Sequence, residues 1–200
     1  GDPGRMPAPK QSDFELNWTI AREASLGPGD ESALLAEANR RLFRRWMAAG
    51  RGEWMVPRDA FDVVELGSVI GSLCVYDRDE AADDYLCRVF GGAVVADLGV
   101  DMTGQYMSSY PAELGDAVRR GYDTARTSRW PYISVHLLIR SERDDFYRRE
   151  DGRVLHEKLV LPVTRSGRGI DCFITHVARL PADALRGVFP IAEAGPNGVA

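Results

Sequence analysis

At Trp130-Pro131 the hydrophobic pattern of this chain changes period, and that change restricts the fold more than any other feature. Before it, Leu114, Ala117, Val118, Tyr122 and Ala125 recur at three- and four-residue spacing between Pro111 and Thr127, which predicts a helix with Pro111 in its first turn. After it, Ile133, Val135, Leu137 and Ile139 alternate with Tyr132, Ser134, His136 and Arg140, so a strand buries one face and turns His136 away from it. Two further strands are expected at Val154 to Val163 and Ile170 to Ala178, joined by the glycine-containing turn Arg165 to Gly169.

Upstream, Leu73 to Tyr76 and Tyr85 to Phe90 read as a hairpin around an acidic turn, Asp77 to Asp84. The second of these strands stops at Gly91-Gly92; Ala93 to Leu98 then suits a short helix, with Gly99 as a left-handed cap and Met102-Thr103-Gly104 as a turn. A strand that leaves a sheet through a glycine pair into broken helical turns wraps a cavity. Nearer the N-terminus, Asp30 or Ser32 can cap a helix whose stripe is Leu35, Ala38, Leu42, Trp46 and Ala49 and which closes at Gly50. Its Arg40, Arg41, Arg44 and Arg45 form a solvated cationic face or a surface for an acidic partner, and its stripe covers a sheet or a second copy of itself.

These elements define an α+β chain. Residues 1–29 are expected to be a disordered or extended segment, 30–180 the domain, and 181–200 a loose tail. Hairpins pair neighbours, so one five-stranded antiparallel sheet forms if the last strand docks beside the first, with short helices on one face and the amphipathic N-terminal helix outside them. With 200 residues and 44% hydrophobic content, the chain can bury an ordinary core. No stretch approaches the roughly 18 apolar residues of a membrane span, so a cytoplasmic location is the expectation. A net charge of −5 makes nucleic acid an unexpected partner. Cys74, Cys87 and Cys172 are odd in number and embedded in apolar runs, which reads as buried thiols, not disulfides.

The architecture resembles a PAS domain, whose sheet order is 2-1-5-4-3 and whose short helices enclose a small-molecule cavity. Three segments carry the resemblance to small bacterial PAS-like proteins that stand alone: the Leu42 to Trp46 helix with RGEWMVPRDAFD after it, CRVFGGAVVADLGVDMTGQYM, and EKLVLPVTRSGRGIDCFI. The middle segment holds Arg88-Val89-Phe90-Gly91 and Asp101-Met102-Thr103-Gly104, with Gly92 where that family tends to carry Thr. The resemblance spans roughly Leu34 to Leu180 and carries no catalytic residue.

It implies a non-enzymatic sensory or interaction domain that binds a small molecule or a protein partner, with a homodimer expected through the Leu35-Leu42-Trp46 stripe. The expected ligand site comprises Phe90, Val94, Leu98, Met102, Tyr106, Val135, Leu137 and Glu157, with Arg140 as a further polar group and no cofactor specified. The competing reading is a small enzyme or metal protein on a similar sheet. It would use Glu157 with His136 or His156 as acid and base, or His136, His156 and His176 together as ligands.

Overall fold

The structure is a computed structural model that describes residues 16–50, 55–61, 66–140 and 153–184. Residues 1–15, 51–54, 62–65, 141–152 and 185–200 lie outside the described residues, as do the side chains of Ile139 and Arg140, and with them most of the expectations for the N-terminal segment and the tail and that for Arg140.

Six antiparallel strands form one sheet: β1 (Leu16–Ser25), β2 (Leu73–Asp79), β3 (Asp84–Phe90), β4 (Tyr132–Arg140), β5 (Arg153–Val163) and β6 (Cys172–Leu180). Their order is β1-β4-β5-β6-β2-β3, which corrects the expectation of five strands in the order 2-1-5-4-3. The added strand is β1, which pairs along β4 from Leu16↔Arg140 to Ser25↔Tyr132 with a bulge between Ile20 and Arg22. Within the segment 1–29, expected to be disordered or extended, residues 16–25 are thus an extended edge strand of the sheet. The remaining elements are α1 (Glu37–Gly50), α2 (Gly92–Leu98) and α3 (Ala112–Ser128), with 3-10 turns between them. Among the described residues, no helix is long and apolar enough to cross a membrane.

Helices cover both faces. On one, α2 and α3 pack Val94, Leu114, Tyr122 and Ala125 onto Cys74, Tyr76, Val160 and Phe173. On the other, α1 packs Leu42, Phe43 and Trp46 onto Leu73, Val75, Leu159, Leu161 and Ile174. Trp46 closes this second contact by donating its indole N–H to the Pro162 carbonyl at 2.7 Å, as a buried indole must find an acceptor. The Leu42-Trp46 stripe is thus buried against the chain's own sheet, at 5% and 4% exposure, and is not available to hold a second copy. Its arginines are held close to home: Arg44 pairs with Glu31 and Glu37, and Arg45 donates to the Ala60 carbonyl over the Phe61 ring.

The crossover from β3 to α2 depends on one glycine. A Cβ built on Gly91 would stand 2.4 Å from the Gly71 carbonyl oxygen and 2.8 Å from that of Leu73, and backbone cannot move aside as a side-chain tip can. At the far end of α2, Gly99 takes the left-handed cap at φ 78° and donates its N–H to the Val95 carbonyl. Gly91→Ala should therefore destabilise the fold by about 3 kcal/mol. The neighbouring Gly92→Ala, whose Cβ meets nothing within 4 Å, should stay within about 0.5 kcal/mol of the parent. Urea unfolding of the two variants side by side checks this, and equal midpoints would show that the close approach at Gly91 is of no consequence.

Candidate functional site

A cavity of about 70 Å³ lies between the sheet and the α2–α3 layer. Its roof is Val94 and Leu98 from α2 with Leu114, Val118 and Tyr122 from α3, and Phe90 and Tyr110 close the sides. The floor alternates along four strands: Cys74 and Tyr76 on β2, Thr175 and Val177 on β6, His156 and Lys158 on β5, His136 and Leu138 on β4. The volume admits a few waters or a molecule of a handful of heavy atoms, far below the roughly 300 to 1,000 Å³ of sites for drug-sized ligands. A larger open groove of about 620 Å³ runs along the outer side of α3, lined by charges such as Arg119 and Asp123 that pair with each other.

The expected site residues separate into two groups. Phe90, Val94 and Leu98 line the cavity. Met102 is buried in the same core beneath it, and Tyr106 turns outward to donate its hydroxyl to Asp79 at 2.7 Å. Val135, Leu137 and Glu157 lie on the opposite face of the sheet: Val135 and Leu137 pack with Leu155 and Leu180, while Glu157 meets α1. The reason is the parity of a pleated strand, since residues one apart point to opposite faces. The polar half of β4, carrying Ser134 and His136, is the half that meets the cavity side.

Glu157 is fully buried and accepts hydrogen bonds from the backbone N–H groups of Leu35 (2.6 Å) and Ala36 (2.9 Å) and from the Asn39 amide (2.9 Å). It caps the N-terminus of α1 from across the chain, the task expected of Asp30 or Ser32. Asp30 instead accepts from the Gly27 N–H in the preceding turn. Asn39 completes the set by accepting from His176 Nδ1 at 2.6 Å. Glu157 is therefore separated by the sheet from His136 and His156, and the acid–base grouping expected of them does not assemble. The three histidines divide likewise: His136 and His156 are cross-strand partners on the cavity side, and His176 belongs to the α1 side. Among the described residues, no three His, Cys, Asp or Glu side chains gather as a metal site.

Two features of the site were not singled out in the sequence. Asp97, buried on α2, accepts from His156 Nε2 at 2.7 Å and is gripped through both oxygens by Arg179, tying the roof helix to β5 and β6. Lys158, 9% exposed at the middle of β5, places its ammonium 5.3 Å from the centroid of the Tyr122 ring. The available signal was parity: His156, Lys158 and Val160 occupy one face of a strand whose other face is Glu157, Leu159 and Leu161.

Burial decides the protonation of nearly everything around the cavity. It pushes the Cys74 thiol up to about 12 and the Tyr76, Tyr110 and Tyr122 phenols far above their ordinary range, so these groups are neutral and poor nucleophiles. It holds His156 down to about 4 and His136 well below its ordinary range, there with help from the Lys158 charge. Burial also lowers Lys158 to about 8. At neutral pH Lys158 is thus the charged member of the lining.

No family model and no curated protein matches the chain. Among solved structures, an RNA-binding Light-Oxygen-Voltage receptor is similar over 66% of this chain at 14% identity with a TM-score of 0.43. The chain spans only 36% of that receptor's length.

Two titrations follow from these environments. His156 and His176 bind a proton at about 4 when folded, against an ordinary value of 6.5. The unfolded chain therefore takes up more protons in that window, and stability present above pH 6.5 is lost as the pH falls. By pH 5 each should contribute roughly 2 kcal/mol of destabilisation. Replacing both with Gln should flatten the midpoint-versus-pH curve between pH 6.5 and 4.5, and an unchanged slope would contradict the assignment. Lys158 acts at the alkaline end. Holding its ammonium in the core at pH 7 costs about 3 kcal/mol, so Lys158→Met should raise the unfolding free energy by about that amount, with the gain shrinking as pH rises through 8 toward 10.5. A less stable Met variant would show that the ammonium is well compensated.

Proposed function

We propose that this chain is a PAS-like sensory or interaction domain that works without catalysis, holding a small molecule between its sheet and the α2–α3 layer and signalling through a protein partner. The observation that carries the reading is the cavity, enclosed on one face of an antiparallel sheet by the helices of the β3-to-β4 crossover, with a buried cation in its floor. The strand neighbours add support, because once the additional edge strand β1 is set aside, β3-β2-β6-β5-β4 are contiguous, the neighbour relations expected of a PAS-like sheet. The neutral phenols, thiols and imidazoles of the lining suit recognition better than bond breaking. A ligand touching both His156 and α2 would act on the Asp97 tether, giving occupancy a route to the exposed Arg179 at the C-terminal end of β6.

Val118→Phe puts a ring into the roof of the cavity and tests the reading. Compounds of a small-metabolite panel that raise the melting temperature of the parent should lose their effect in this variant. If none shifts the parent, or if those that do act equally on the variant, the cavity is not a binding site.

A further inference from the structure

We infer that the ligand is a short monocarboxylate, its carboxylate set against the Lys158 ammonium and its apolar body against Phe90, Leu98 and Val118. This rests on the cavity reading above and specifies its ligand class.

The argument begins with a buried charge that lacks a counter-charge. Lys158 is flanked in register by Ser134 on β4 and Val177 on β6, both uncharged. Among the described residues its ammonium makes no ion pair; its company is the face of the Tyr122 ring. The carboxylate whose field reaches it, Glu23, is already engaged by the Tyr132 hydroxyl and by Arg120 at 3.6 Å. Arg120 adds positive potential of its own. A single ring offsets only part of the penalty for a buried cation. An anion entering the cavity supplies the missing charge, and a neutral molecule of the same shape leaves the ammonium as it was.

The rest of the lining narrows the anion. Tyr122 and Thr175 share one hydrogen bond between their hydroxyls at 2.8 Å. Two O–H groups use one hydrogen in that bond, so the pair retains a hydrogen to donate to a carboxylate oxygen. Beyond these groups the cavity turns apolar at Phe90, Val94 and Leu98, where a second carboxylate or the further charge of a phosphate would be buried unpaired. With about 70 Å³ to fill, against roughly 30 Å³ for one water's share of liquid volume, only an acid of a few carbons fits.

Calorimetric titration of propionate and butyrate, with propionamide and propan-1-ol as neutral counterparts, tests this on the full chain and on Lys158→Met and Lys158→Gln. The acids should bind the parent at least about tenfold more tightly than the neutral compounds, and both variants should lose that preference. Neutral compounds binding the parent as well as the acids, or a preference that survives in Lys158→Met, would overturn the inference while leaving the cavity reading intact. Failure of all four to bind the parent overturns it too, and the response of Val118→Phe to the wider panel then decides the cavity reading separately.

Discussion

Both faces of the sheet are covered, and β5 runs through its middle, so every side chain from Val154 to Val163 is buried. On such a strand polarity no longer separates inside from outside. Parity alone decides which of two cores a residue enters. The adjacent pair Glu157-Lys158 shows the consequence, because two opposite charges that would neutralise each other on one face are sent to opposite sides of the sheet. Each must find its own partners. Glu157 finds three N–H donors, and Lys158 finds a ring.

The carboxylate side explains how α1 is placed. A helix begins with backbone N–H groups that have no intrahelical acceptor and with the positive end of its dipole. Here a buried carboxyl group from β5 answers both, and Asn39 and His176 extend the network. Arg40 reaches back from the first turn to the Leu34 and Leu35 carbonyls, tightening the entry segment that presents those N–H groups. The register of α1 on the sheet therefore comes from a residue more than a hundred positions away. Apolar packing of Leu42, Phe43 and Trp46 could slide by a turn; the cap cannot.

What was legible in the sequence follows the same logic. The alternation of β4, the β2–β3 hairpin, the stripe of α3 and the cap at Gly99 are all signals that neighbouring residues carry, and each was readable. Phe90, Val94 and Leu98 were readable as cavity wall because the Gly91-Gly92 break marks where the chain leaves the sheet. The start of α1 was not, since its cap is supplied by tertiary structure. Nor was β1, where Leu16 to Ser25 mixes apolar and charged residues around a bulge and lacks a clean period. Val135, Leu137 and Glu157 were placed in the cavity on the premise that the apolar face of an alternating strand meets the ligand. The polar face meets the cavity here, and in a sheet exposed on one side that face would have met water.

The two charges of β5 also differ in what they do for the fold. Glu157 is a carboxyl group set against N–H donors at a helix N-terminus, where acceptors are wanted and negative charge is favoured. Lys158 is a cation placed among phenols, a thiol and methyl groups, with a second cation, Arg120, in its field. Packing alone would favour Met or Leu at that position, since either fills the volume without desolvating a charge. A sequence with an ammonium there gives up that stability, and the cavity lies directly in front of the charge. Packing and charge make opposite demands on one strand position, while one residue away they make none that conflict. That contrast, more than the size or shape of the cavity, separates the α2–α3 face of the sheet, where a buried ammonium meets only a ring beside a cavity, from the α1 face, where the buried carboxylate is met by three N–H donors.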